Sequence, residues 1–219
     1  ISTGDSVGGP SGDILMSVGD STSGIGGDIN IVSGNGGTAS GGALSLLSGA
    51  SFTGGSGVVT ISSGKGVRSG NIEISSGKSL VGSSGDILMH VGSGKVAGGN
   101  IVLNAGNSQS SLGGTIMFTA GSSNIQTGGG VSIFSGASSS EVGGSLRINS
   151  GSSMGTGGSL VLQSGSSVKG SSGLVEITSG NSGGDGASGS IHLLTGEAGN
   201  GGSGSIGLFT SSAAKGLSR

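Results

Sequence analysis

Short stretches in which hydrophobic and polar residues alternate recur along the chain at intervals of 13 to 16 residues. One of them, GDILMSVG at residues 12–19, returns as GDILMHVG at residues 85–92. Fourteen such repeats begin at the glycines numbered 12, 27, 42, 57, 70, 85, 99, 114, 129, 144, 158, 173, 189 and 204. The chain is therefore a tandem array of one small unit, the sequence signature of a repeat architecture.

Within each repeat, the hydrophobic positions are separated by two residues. Counted from the first glycine, position 3 is Ile, Leu or Val, and position 5 is Ile, Leu, Met or Phe, in all fourteen repeats. Position 7 is Ser, Ala, Val or Thr, and position 8 is Gly in every repeat except the last, where it is Ser211. A period of two places positions 3, 5 and 7 on one face of a β-strand, and the glycines at positions 1 and 8 end that strand.

A single repeat is too small to fold alone. Burial of a large apolar side chain contributes roughly 1.5–3 kcal/mol, whereas ordering the backbone costs about 1–2 kcal/mol for each of some fifteen residues. Stacked repeats would share a core, so the pattern predicts an all-β fold, a single-stranded β-solenoid or β-helix of about 14 short coils with parallel sheets and no helices. Position 4 shows no odd–even alternation, which favours one repeat of about 15 residues per coil.

The repeats predict one continuous array over residues 1–219. Residues 1–11 form a partial repeat, because Ile1, Ser2, Thr3 and Gly4 fit positions 5 to 8, and residues 12–218 hold the fourteen repeats. An array that opens in the middle of a strand, without a polar capping element at either end, predicts a segment of a longer repeat protein.

Positions 4 and 6 point away from the predicted core, and they are unexpectedly apolar. Ten of the fourteen repeats carry one large hydrophobic residue there, and we call these ten the outer apolar residues. They are Leu15, Val32, Leu47, Leu88, Val102, Met117, Phe134, Val161, Leu194 and Phe209. A column of this kind exceeds the scattered apolar residues of an ordinary surface and predicts an assembly interface. The alternative is that a flat sheet tolerates a few exposed apolar groups.

The composition of the chain excludes several classes of protein. Of 219 residues, 56 are Gly and 50 are Ser, with one Pro, no Cys and only 8% charged residues. Collagen would need Gly at every third residue, and a flexible linker would lack the hydrophobic pattern. Eight scattered Lys and Arg form no basic stripe for nucleic acid, and no apolar run approaches the roughly 18 residues of a membrane span. We therefore expect no nucleic-acid partner and no membrane-spanning segment.

No residue set predicts catalysis or a cofactor. The closest approach to a phosphate-binding loop, SSGKSL at residues 75–80, lacks the first glycine of that motif. His90 and His192 occupy outer positions of distant repeats. The aspartates near the start could hold a fortuitous cation, but they lack the calcium-binding pattern of solenoids. The prediction is a protein that is not an enzyme and has no catalytic, cofactor or metal site.

The recurring pattern GGxIxIxSGxxSxxGG, seen for example as GDINIVSG at residues 27–34, resembles Gly/Ser-rich β-solenoid repeat proteins of stramenopile algae and oomycetes. The resemblance covers the whole chain. It implies a secreted or surface-exposed protein of fibre type, with an extracellular or cell-surface location.

Two functions follow as hypotheses. The first is a structural protein that builds an extracellular filament by coil stacking and by lateral packing of the outer apolar residues. Its partners would be copies of itself or neighbouring filament subunits, and O-linked glycans on the many serines remain open. The second is a solenoid or adhesin that binds ice or a polysaccharide surface. Ice binding favours a regular rank of Thr, whereas outer Thr residues occur only at Thr60, Thr119 and Thr178.

Overall fold

The structure is a computed structural model that describes residues 1–211. The second half of the last predicted repeat, at residues 212–218, lies outside the described residues. The chain divides into two units, Ile1–Leu103 and Asn104–Arg219. The interpretation of the chain as one continuous array stays a prediction.

The predicted all-β fold is wrong. Residues 1–211 contain no β-strand and no helix, so the chain is not a β-solenoid or β-helix, and the coils and parallel sheets predicted for it do not form. The chain is instead largely irregular, with extended stretches separated by sharp bends such as those at residues 22–24, 109–111 and 139–141.

The backbone hydrogen bonds show where the prediction failed. Within residues 1–211, the structure has seven backbone hydrogen bonds, and each of them joins the two ends of a loop. A strand needs partners for its N–H and C=O groups along its length. Alternating side chains define two faces of an extended segment, but they supply no backbone partner. One repeat buries too little apolar surface to fold alone and therefore needs something to pack against. This does not show that it packs against the neighbouring repeat.

Seven loops are closed by the same hydrogen bond. The N–H of the glycine at position 1 donates to the C=O of the glycine at position 8 of the preceding repeat, at 2.8–2.9 Å. We call these the closed loops, and they span residues 34–42, 49–57, 106–114, 121–129, 136–144, 151–158 and 165–173. Five of them follow one another in the second unit, which makes residues 106–173 the most regular part of the described chain.

The closed loops share a small residue at position 7, although within residues 1–211 the loops that follow Ser63, Ser76 and Ser179 lack the closing bond. All seven closed loops follow Ser or Ala at that position. In the fourth of them, a methyl group on Gly129 would lie 3.5 Å from the Cβ of Ala120, so the two residues are in contact. Where position 7 is Val18, its Cγ1 lies only 2.6 Å from a methyl group placed on Gly27. Among the described residues, the loop at 19–27 has no closing bond. We expect a β-branched side chain at position 7 to oppose the approach of the loop ends.

Serine at position 10 organises the loop interior. In eight loops its Oγ accepts a hydrogen bond from the backbone N–H two or three residues later, at 2.9–3.0 Å. These serines are Ser21, Ser51, Ser79, Ser108, Ser123, Ser138, Ser153 and Ser167. Such side-chain bonds mimic a backbone turn and direct the chain into the bend that follows.

Replacing Ser108 by Ala is expected to loosen the loop at residues 106–114. The Oγ of Ser108 accepts from the N–H of Ser111 at 2.9 Å, and an exposed bond of this kind contributes about 0.5–1.5 kcal/mol. Amide hydrogen exchange at Ser111 should accelerate about two- to tenfold. Ser108→Thr keeps the hydroxyl and is the matched control, which should exchange like the parent. Equal rates in Ser108→Ala and the parent would contradict the role of this hydroxyl.

Candidate assembly surface

No side chain is buried anywhere in residues 1–211. The chain exposes 22065 Å² of surface, whereas a compact folded chain of 20.1 kDa exposes about 8,700 Å². A stable two-protein interface removes only about 1,200–2,000 Å² from water. The single chain thus leaves exposed several times more surface than one interface covers, and much of that surface is apolar.

The ten outer apolar residues are the more exposed side of the extended segments. Their side chains are 71–93% exposed, the extremes being Val102 and Phe209. The residues at position 3 are 48–59% exposed in every repeat. Position 5 lies between 54% and 69% except at Leu208, near the end of the described chain. The two faces therefore differ in exposure, and the outer apolar residues lie on the more accessible face.

The small residues at position 7 are the least accessible polar or small side chains of the segments. Ser33, Ala105, Ala120, Ser164 and Ser179 are partly covered, unlike nearly all of their neighbours. They are covered because the glycine that opens the next repeat approaches their Cβ atoms. The covering comes from the chain's own loop and makes these five side chains less accessible to a partner.

A second set of exposed apolar residues lies in the loops, outside the predicted assembly interface. Eleven loops carry one or two such residues, each with an exposed fraction of 91–109%. The residues are Val7, Ile25, Phe52, Val67, Leu80, Val81, Val96, Leu112, Ile125, Val142, Met154 and Val168. Their sequence signal is a single large apolar residue among Gly and Ser, but its position varies between 11, 12 and 14 of the repeat. This variation makes the set less regular than the outer apolar residues.

The titratable residues are scattered. His90 and His192 are exposed and belong to different units. Over the described chain, no three His, Cys, Asp or Glu side chains come together in a group that could hold a metal ion. The aspartates at positions 5, 13, 20 and 28 are likewise exposed and form no such group. A search of residues 1–211 for a helix of the length and hydrophobicity that a membrane crossing requires finds none.

Comparisons with protein families, with curated proteins and with solved structures find no significant match for this chain.

Proposed function

We propose that this chain is a structural repeat protein that assembles with copies of itself into an extracellular or cell-surface filament. The observation that carries the proposal is the exposure of every large hydrophobic side chain in residues 1–211, with the outer apolar residues on the more accessible side of the segments. Copies that pack these residues against each other would provide the burial that one copy lacks.

The energetics support association through many weak contacts. Each outer apolar residue contributes about 1.5–3 kcal/mol if a neighbouring copy buries it fully. Association itself costs about 4–15 kcal/mol, so that one or two contacts are insufficient and several acting together are required. Tandem repetition supplies several such contacts, because ten of the fourteen repeats carry an outer apolar residue.

Low charge permits close approach of many copies. The chain has eight basic and ten acidic residues and a net charge of −2, so that copies repel each other weakly. A location outside the cell is supported by the resemblance to Gly/Ser-rich surface proteins rather than by the geometry. The proposal concerns lateral packing of apolar side chains and assigns no regular coil to the single chain.

The test is the concentration dependence of the purified chain. In sedimentation velocity we expect monomers at low concentration and a progressive shift to large species as concentration rises. Sodium sulfate should promote this shift and cooling should oppose it, because both act on apolar burial. Electron microscopy of the large species should show elongated particles. A chain that remains monomeric at several hundred micromolar in sulfate would contradict the proposal.

A further inference from the structure

The tetrapeptide GNGG occurs twice in the chain, at residues 34–37 and 199–202. These copies hold the only two of the ten asparagines that are followed by glycine, Asn35 and Asn200, and both side chains are exposed. The backbone nitrogen of the next residue can attack an asparagine side chain, and glycine favours this attack because it has no Cβ and few limits on φ and ψ. The two asparagines are therefore matched candidate sites for spontaneous deamidation.

The reaction needs neither an enzyme nor a cofactor. The backbone nitrogen of the glycine loses its proton to water and forms a bond to Cγ of the asparagine. The bond between Cγ and the side-chain nitrogen breaks, and this nitrogen takes up a proton and leaves as ammonia. Water then opens the resulting five-membered succinimide at either carbonyl, which gives aspartate or isoaspartate. Each event thus replaces a neutral amide by a carboxylate, without oxidation or reduction.

The first tetrapeptide lies in a closed loop. A hydrogen bond of 2.9 Å between the terminal glycines holds together the ends of the loop at residues 34–42. A methyl group placed on Gly36 would lie 2.6 Å from the carbonyl oxygen of Ser40 and would also overlap the carbonyl oxygen of Ala39. Gly36 therefore lies close to the far side of its own loop. Ring closure requires rotation of the backbone between Asn35 and Gly36, and this rotation has to displace the neighbouring carbonyl groups.

The second tetrapeptide lies in an open loop. In the described part of the chain, the loop at residues 196–204 has no closing hydrogen bond, and the β-branched Thr195 occupies position 7 before it. A methyl group placed on any of the three glycines of this tetrapeptide would meet nothing within 4 Å. The chain bends at residues 199–201, so that Asn200 lies at the centre of an exposed bend. Its backbone can reach the conformation for ring closure without moving another part of the loop.

We propose that Asn200 is a site of spontaneous deamidation and that loop closure protects Asn35. Because the two tetrapeptides are identical, the difference in rate comes from the loops that hold them. Ring closure at Asn35 requires the loop to open first, and one exposed hydrogen bond lowers the open fraction about two- to tenfold. Conversion at Asn200 makes the net charge of −2 more negative by one unit and increases with the age of the chain. This inference concerns the single chain and is independent of assembly.

Peptide mapping by mass spectrometry tests the proposal on the full chain. The chain is incubated at mildly alkaline pH, at a dilution that keeps the copies apart. Trypsin then releases residues 1–65 and 170–215, each of which contains one of the two asparagines. We expect aspartate and isoaspartate to form about two- to tenfold faster at residue 200 than at residue 35. Equal rates, or a faster reaction at residue 35, would overturn the proposal.

Two controls separate the loop from the local sequence. In concentrated urea neither loop retains its structure, so the two asparagines should react at equal rates. A difference that persists unchanged in urea would show that flanking residues set the rates and that the loop gives no protection. Gly201→Ala should slow the reaction at Asn200 severalfold and leave the reaction at Asn35 unchanged. An unaltered rate at Asn200 in this variant would contradict attack by the backbone nitrogen.

Discussion

Replacing Leu88 and Phe134 together by Lys is expected to abolish assembly at concentrations where the parent forms large species. The two side chains are 80% and 89% exposed in the single chain, so the substitutions disturb no core. In the assembly they would remove about 3–6 kcal/mol of burial and place an ammonium group in each contact. The apparent association constant should fall about 100- to 10,000-fold, as measured by sedimentation or light scattering.

The matched control moves the same charges to the loops. Val67→Lys with Met154→Lys also adds one lysine to each unit, at loop residues that are fully exposed. If assembly uses the outer apolar residues, this variant should retain most of its association constant, apart from a small effect of net charge. The opposite result, with the loop variant monomeric and the Leu88/Phe134 variant assembled, would transfer the interface to the loops.

Replacing Gly114 by Ala is expected to open the loop at residues 106–114. A methyl group at this position would lie 3.0 Å from the backbone nitrogen of Gly106 and 3.2 Å from the Cβ of Ala105. Neighbouring atoms must then shift by a few tenths of an ångström, and we expect this shift to weaken the bond from the Gly114 N–H to the Gly106 carbonyl. Hydrogen exchange of the amide at residue 114 should accelerate up to about tenfold. This factor corresponds to the free energy of one exposed hydrogen bond.

Two further variants isolate the cause. Gly106→Ala changes the other end of the same loop, where an added methyl group meets nothing within 4 Å, and the amide at residue 114 should exchange as in the parent. Ala105→Val adds a β-branched side chain at position 7, as at Val18 and Val91, and should open the loop as Gly114→Ala does. A closed loop in the Ala105→Val variant would show that the size of position 7 does not control closure.

The failure of the β-solenoid prediction has a definite physical origin. The alternation at Ile14, Met16 and Val18 correctly separates a less exposed face from a more exposed one, on which Leu15 lies. Side-chain alternation is a property of any extended backbone, with or without a hydrogen-bonded neighbour. The prediction of sheets also assumed that each repeat packs against the next repeat and forms backbone hydrogen bonds with it. The described part of the chain does not form such sheets.

Loop organisation was also only partly predictable. Glycines at positions 1 and 8 were expected to end the segments, and they do lie at the ends of the closed loops. The repeat pattern does not reveal that Ser at position 10 accepts a backbone hydrogen bond. Nor does it reveal that the residue at position 7 approaches the glycine that opens the next repeat. Both the hydrogen bond and the contact join atoms from different parts of the loop. The order of residues in one repeat does not show which of them come together.

The sequence by itself determined the period of the repeat, the two faces of each segment and the identity of the outer apolar residues, because these depend only on local spacing along an extended chain. Only the tertiary structure decided that residues 1–211 form no sheet and bury no side chain, and which loops close. These properties depend on whether distant backbone groups meet. The pair GDILMSVG and GDILMHVG illustrates the difference, since both segments keep the same alternation although neither forms a strand.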